Sequence, residues 1–366
     1  VRVALAHDYL TQRGGAERVA LTLHQAFPES PLYTTLHNPE TTYPEFAHAD
    51  LRLSPLNRVA AFRRDHRLAL PFLGAAVEGL VVRDADVALA STTAFMHGIT
   101  TGDIPLVVYC HSPARFIYLL DEYLGRPAHA SPMGLGLLAA RPYLRWWDQR
   151  AARRATRYLC NSRVVAERIQ RVYGFDAVVI PPPHAISADA AQTTPEAVAD
   201  WADGYHLVVS RLLPYKNVHT VVDAFRGVDE RLVIVGKGPM EAEIRASLPP
   251  NVRLLSGISD AELRWVYAHA TALIAASYED FGLAPLESAS FGVPTLALRA
   301  GGFLDTIDES VNGAFFATVD AATVRDAVVS NRSATWDATA IRHYADGFTP
   351  SRFVDRITEQ LRLAIG

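Results

Sequence analysis

The chain has 366 residues, 49% hydrophobic and 20% charged, a balance that excludes disordered and collagen-like classes and exceeds what one hydrophobic core organises, so two domains are expected. Net charge is −4 but unevenly spread: residues 1–183 hold 20 Lys+Arg against 16 Asp+Glu, and residues 184–366 hold 15 against 23. The positive first half points to an anionic partner such as a lipid phosphate or membrane surface, the alternative being scattered surface charge; no nucleic-acid partner is expected. Cys110 and Cys160 stand far apart in apolar runs, which argues against a disulfide framework or a zinc site and for a reducing cytoplasm. The opening VRVALAHDYL is a strand pattern rather than a leader, and the longest apolar runs, such as PLVVYC and RLVIVG, are too short to cross a bilayer. A cytoplasmic protein with at most peripheral membrane contact is expected.

In chain order, short β-rich runs alternate with amphipathic stretches, the pattern of a parallel sheet covered by helices. Strands are expected at 1–6, 32–35, 87–90, 106–110, 157–160 and 178–180. Pro181, Pro182 and Pro183 then break regular structure, and 184–204 reads as a linker. The rhythm restarts with strands at 206–210, 232–235, 253–255, 272–275, 295–297 and 313–316, each followed by a helix-like segment. The tail 348–365 is expected to be a helix packing back on the first domain. This gives an α/β chain of two doubly wound parallel-sheet domains, 1–183 and 205–345, facing a central cleft, with 346–366 appended. In such sheets ligands sit outside the carboxyl ends of the strands, so the loops after strands carry the candidate residues.

Gly14 and Gly15 precede AERVALTLHQAF, whose spacing suits a helix, so they stand at a helix N-terminus where backbone amides favour an anion; a simple turn is the alternative. His111 ends the strand run LVVYC and precedes Ser112 and Pro113, which puts it on a sheet edge, whereas His7 and His97 read as structural. After HLVVS comes RLLPYKN, so Arg211 and Lys216 share one loop and could neutralise a diphosphate, Arg through a fork of hydrogen bonds and Lys as a point charge. Lys216 and Lys237 are the only lysines in a chain whose other cations are arginines, which invites a functional explanation for them. In SYEDFGLAPLESASFGVP, Glu279 and Glu287 are eight apart; Gly282 permits an unusual turn and Pro285 suits a first helical turn. Glu279 then falls on a loop, Glu287 inside a helix, and the amides of Phe281, Gly282 and Leu283 face a ligand. Each carboxylate could accept two hydroxyl hydrogen bonds, as a vicinal diol requires; an ordinary acidic helix start is the alternative. Asp84-Ala-Asp86 has the spacing of a metal-holding pair but precedes a strand, and reads as surface.

RLLPYKN, VGKGP, EDFGLAPLE, FGVP and GGFLDTIDESVNG, in this order, resemble the C-terminal domain of glycosyltransferase family 4, covering about 205–316; GGAERV and YCHSP match more loosely. The resemblance implies a GT-B fold and a retaining, metal-independent transferase. By the same resemblance, Arg211 and Lys216 would bind a donor diphosphate, and Glu287 the ribose hydroxyls. Glu279 with the amides of Phe281, Gly282 and Leu283 would hold the transferred sugar, His111 would reach it from the opposite wall, and Gly15, beside Gly14, would lie near the distal phosphate. Backbone near Gly236 and Gly257 would read the nucleobase. HDYLTQRGGAERV with YCHSPARFIYLLDEYL resembles a bacterial subgroup that includes O-antigen and polysaccharide mannosyltransferases, which favours GDP-mannose over a UDP-sugar as donor. The acceptor would be a sugar, a glycan or a lipid-linked molecule. Two arginine-rich stretches, LNRVAAFRRDHRLALPFLGAAV and ARPYLRWWDQRAARRATRYL, could rest on an anionic membrane, or be core-facing helices with a charged outer surface. A nucleotide-sugar epimerase on the same architecture and a two-domain solute-binding protein are the rival readings.

Overall fold

The computed structural model describes residues 1–125, 127–184 and 186–366. The chain forms two compact units, Val1–Pro182 with Pro350–Gly366, and Pro183–Thr349.

The first unit is built on seven parallel strands: β1 (Val3–His7), β2 (Leu32–Thr34), β3 (Leu51–Leu53), β4 (Val87–Thr92), β5 (Leu106–Cys110), β6 (Arg157–Cys160) and β7 (Val178–Val179). Their order is β3-β2-β1-β4-β5-β6-β7. Every residue of β1, β4 and β5 is buried, which is why these strands read as continuous apolar runs: both faces of a parallel sheet are covered. Alternate residues feed opposite layers. Ala4, Ala88, Ala90, Val108 and Cys160 pack on one face, and Leu5, Leu89, Val107, Tyr109 and Leu159 on the other. β3 is absent from the sequence reading because its residues, Leu-Arg-Leu, are half-buried or exposed at the sheet edge and carry no apolar run. Cys110 and Cys160, distant in sequence, stand opposite each other in the β5–β6 register, both buried and not joined in a disulfide.

The second unit carries β8 (Tyr205–Val209), β9 (Leu232–Val235), β10 (Val252–Leu255), β11 (Ala270–Ala275), β12 (Thr295–Leu298) and β13 (Gly313–Phe316). All are parallel, in the order β10-β9-β8-β11-β12-β13. The stretch 184–204, expected as a linker with a loop or short helix, carries the short helix Glu196–Trp201. Its Ala185 lies outside the described residues, while Val198 and Trp201 are buried in the second unit's core. Arg253 lies 3.8 Å over the Trp201 ring and Arg264 donates to the Ala191 carbonyl, so apolar burial and two arginines bind this stretch to its own unit.

The terminal helix Pro350–Ile365 belongs to the first unit, where Phe353, Ile357 and Leu361 join the core layer of Tyr109 and Leu159. Phe353 meets Tyr109 edge to face at 5.5 Å, and Arg157 donates to Gln360 at 2.8 Å. His97 lies in the same unit's interior, with Nε2 3.1 Å from Asp148 Oδ1 and the Tyr118 hydroxyl donating to Asp148 at 2.7 Å, consistent with a structural role. Phe353→Ala should lower the unfolding free energy of the first unit by about 3–5 kcal/mol, measured by chemical denaturation; a change within ~0.5 kcal/mol would show that the helix is not part of this core.

Candidate functional site

In each sheet the strand order reverses once, between β1 and β4 in the first unit and between β8 and β11 in the second. At such points the loops leaving two neighbouring strands diverge and open a crevice at the carboxyl edge. Most of the candidate residues lie in the loops at these two places, while Gly236 and Gly257 follow β9 and β10.

At the first, Asp8 follows β1 and is 2% exposed. Its carboxylate accepts hydrogen bonds from the amides of Thr93, Ala94, Phe95 and Met96 at 2.5 to 3.1 Å and from the Thr92 hydroxyl, wrapping the loop after β4 around one buried charge. Beside it, His7 Nδ1 lies 3.1 Å from both the carbonyl oxygen and the Oγ of Ser91, and Ser91 Oγ lies 2.9 Å from His111 Nε2. His7 ends β1, Ser91 is the next-to-last residue of the adjacent β4, and His111 follows β5. Burial, with His7 nearby, pushes the His111 imidazole down to about 3 from its ordinary 6.5, so it is neutral at physiological pH.

Gly14 caps the helix Gly15–Ala26. The sequence places an anion there, but the buried carboxylate of Glu17 already lies against Gly14, held by the Gln12 amide at 2.9 Å. The helix N-terminus is faced by its own third residue, which offsets the favourable field an incoming phosphate would meet.

At the second reversal, the loop after β8 carries Arg211 and Lys216, and Asn217, in the left-handed conformation at φ +56°, ties it to β11 by donating to the Ala276 carbonyl at 2.8 Å. Lys216 Nζ meets Glu279 Oε1 at 2.5 Å, both side chains less than one fifth exposed, and Ser277 donates to the same carboxylate oxygen. The sequence reading gave Lys216 and Glu279 separate ligands; the structure joins them in one ion pair. They line a cavity of about 200 Å³ with Ser210, Ser277, Gly282, Leu283 and Phe303 among others.

The backbone from Glu279 to Leu283 is shaped by glycines. Gly282 sits at φ +85°, with the Phe303 ring where a Cβ would project, and Gly301, at φ +60°, leaves no room for a side chain against the Glu279 carbonyl. Gly302 donates to that carbonyl at 2.8 Å. Among the described residues the amides of Phe281, Gly282 and Leu283 make no hydrogen bond; Gly282 and Leu283 line the cavity, while Phe281 is buried. The helix Ala284–Ser290 follows, with Pro285 in its first turn and Glu287 inside it, where Glu287 Oε2 accepts from the buried Tyr267 hydroxyl at 2.9 Å.

Arg211 is exposed; it, Phe281, Glu287, Gly236 and Gly257 do not line the cavity. The Gly236 amide is committed to the Leu255 carbonyl, and its glycine is required because a Cβ would overlap the Ser210 carbonyl. Gly257 has open space around it, so its need is conformational, at φ +72°. Ser91, Ser277, Tyr267 and Glu17 escaped the sequence reading, since a serine in an apolar strand or a loop, or a tyrosine at a helix end, carries no spacing signal. Gly301 and Gly302 did stand in a recognisable motif but had no assigned part.

The family model described as Glycosyltransferase Family 4 matches residues 13–185, and that described as Glycosyl transferases group 1 matches 186–330. The chain is 35% identical over 113 residues to the GDP-mannose-dependent alpha-mannosyltransferase of Corynebacterium glutamicum, covering 31% of this chain and 27% of that one. It is 28% identical over 149 residues to O-antigen chain mannosyltransferase C of Escherichia coli, covering 38% and 40%. The matches thus span well under half the length of these relatives. The crystal structure of Anabaena HepE in complex with UDP and glucose superposes with a TM-score of 0.68 over 99% of both chains at 19% identity, and shares the GT-B fold of two parallel-sheet units.

The depressed His111 pKa has a consequence for stability. As pH falls below about 6.5 the unfolded chain binds a proton at this position that the native chain refuses until about 3, so stability present at neutral pH is lost through that window. Between pH 7 and pH 5 one such imidazole accounts for about 2 kcal/mol. His111→Gln should reduce the pH dependence of the unfolding free energy by about that amount; identical dependence in both proteins would contradict the buried neutral imidazole.

Proposed function

On the premise that the chain belongs to the family 4 glycosyltransferases, whose two models together span residues 13–330, we propose that it transfers a hexose from a nucleotide-diphosphate sugar to a glycan, lipid-linked or small-molecule acceptor with retention of configuration. The observation that carries the reading is the Lys216–Glu279 pair in a cavity at the strand-order reversal of the group 1 half, beside three uncommitted amides. A diphosphate entering there competes with Glu279 for Lys216, and the carboxylate so released accepts hydroxyl hydrogen bonds from the sugar. Arg211, exposed on the same loop, adds a second cation. Glu287 is our candidate for the ribose hydroxyls, His111 for the sugar, and backbone near Gly236 and Gly257 for the nucleobase.

The step is a front-face substitution. The bond from the anomeric carbon to the diphosphate oxygen breaks, the bond to the acceptor oxygen forms on the same face, and the acceptor proton passes to the departing diphosphate. The protein's part is electrostatic: Lys216, Arg211 and the amides of Phe281, Gly282 and Leu283 stabilise charge growing on the leaving group. Lys216→Ala should lower kcat about 100-fold or more with the fold retained, since losing one such donor costs about 3 kcal/mol of barrier. Turnover of a labelled sugar nucleotide within a few fold of wild type would remove Lys216 from this role.

GDP-mannose is our first candidate for the donor, the nucleotide sugar in the name of the Corynebacterium glutamicum relative, and a UDP-sugar is the second, since HepE holds UDP and glucose. Incubation with a panel of labelled sugar nucleotides decides between them, and an epimerised product without transfer would restore the epimerase alternative, which no reported relative favours. We also propose that no metal is needed. Asp86 of the Asp84-Ala-Asp86 pair is held by Arg2 at 3.0 Å at the edge of the sheet where β4 begins, the opposite edge from the candidate residues. Transfer should survive EDTA; strict dependence on a divalent cation would reverse this.

We propose a peripheral membrane contact for the acceptor side at the helices Leu70–Glu78 and Pro132–Ala152 and the turn before the first of them. They expose Leu68, Phe72, Tyr143 and Trp146, each more than half accessible, among the exposed Arg64, Arg67, Arg145 and Arg150. Apolar side chains interleaved with guanidinium groups fit an anionic lipid surface better than a purely charged face does.

A further inference from the structure

Three side chains across neighbouring strands, His7, Ser91 and His111, form one hydrogen-bonded line, and chemistry dictates where its protons lie. The Ser91 carbonyl oxygen can only accept, so His7 Nδ1, 3.1 Å away, carries the proton. That same N–H faces Ser91 Oγ, also at 3.1 Å, which therefore cannot donate toward His7. The Ser91 hydroxyl proton is left to point at the one other partner on the line, His111 Nε2 at 2.9 Å, which must then be the unprotonated nitrogen. A neutral imidazole with a bare Nε2 carries its proton on Nδ1, and among the described residues His111 Nδ1 makes no hydrogen bond.

We infer that His7 and Ser91 are positioning residues that lock His111 as the Nδ1–H tautomer, so that it presents a fixed, uncharged hydrogen-bond donor to a hydroxyl of the transferred sugar. The inference rests on the reading of His111 as a donor-sugar contact for its functional half only; the tautomer stands on the geometry. Free imidazole side chains favour the Nε2–H form, so the line holds His111 in the less common state. The line is rigid: His7 and Ser91 are each 1% exposed and paired in the β1–β4 register, while the His111 amide donates to the Thr92 carbonyl and its own carbonyl accepts from Asn161. A neutral donor suits a sugar hydroxyl, which a charged imidazolium would bind with less discrimination and at the cost of burying a charge.

The test is a long-range ¹H–¹⁵N spectrum of ¹⁵N-histidine-labelled full-length protein at pH 7, with the His111 signals identified by their loss in His111→Gln. The expected result is a protonated Nδ1 and an unprotonated Nε2 at His111. Ser91→Ala should shift the signals toward the Nε2–H form, and Ser91→Thr, which keeps the hydroxyl on a β-branched side chain suited to a strand, should restore them. With the labelled donor, Ser91→Ala should lower kcat/KM about tenfold or more and Ser91→Thr should recover most of it. An Nε2–H tautomer in the wild type, or a tautomer unchanged by Ser91→Ala, overturns the lock whatever the activity. An Nδ1–H tautomer that Ser91→Ala disrupts, with transfer unaffected by either Ser91→Ala or His111→Gln, overturns the sugar contact and leaves the lock standing. Absence of turnover with every sugar nucleotide would sink the transferase reading, and the spectra would still decide the tautomer.

Discussion

Parallel pairing throughout both sheets is the constraint from which the candidate site follows. When every strand runs the same way, each hands its chain on at the same edge, and where the order reverses the two departing loops are driven to opposite faces. The gap so formed cannot be filled by the strands themselves. In the first unit it lies between β1 and β4, and in the second between β8 and β11. A loop beside such a gap needs fastening, and each unit supplies its own: the Asp8 carboxylate gathers the amides of residues 93–96, and the Asn217 amide grips the end of β11.

The two edges hold their polar groups in different ways. In the first unit the charge is spent internally, because the Asp8 carboxylate is saturated by the loop it organises, and what remains beside it is a neutral line ending at His111. In the second the charges are paired: Lys216 and Glu279, each less than one fifth exposed, neutralise each other at the cavity. On the proposed reading, the neutral donor meets a sugar hydroxyl and the ion pair opens to a diphosphate.

Most of the fold was legible because parallel strands buried on both faces write themselves as apolar runs. β5, β6, β9 and β13 fall where the sequence puts them, and β1, β4, β8, β10, β11 and β12 differ at their ends by one or two residues. The edge strand β3 escaped because only one side of it needs burial, and the packing of 184–204 into the second unit was not legible because Trp201 sits among polar residues while its partners Arg231 and Arg253 are distant in sequence. The placement of the loop residues was legible from the motifs, but their pairing was not. Spacing puts Lys216 on one loop and Glu279 on another, and only the β8–β11 adjacency brings them to contact. Ser91 was illegible for a further reason: its hydroxyl matters only because His7 and His111 flank it across two strand pairings.

The charge distribution sharpens what the anion site must be. The second half of the chain, where the proposed diphosphate binds, is the acidic one, with 15 Lys+Arg against 23 Asp+Glu. A net field of that sign repels an anion at long range, so attraction has to come from short-range contacts inside a partly desolvated crevice. On the proposed reading the burden falls on a few cations at close quarters, and the lysine at position 216 suits that role. An ammonium on a flexible stem can swing from a carboxylate to a phosphate oxygen without the fixed fork of an arginine, whose planar geometry would hold Glu279 more firmly and resist the exchange.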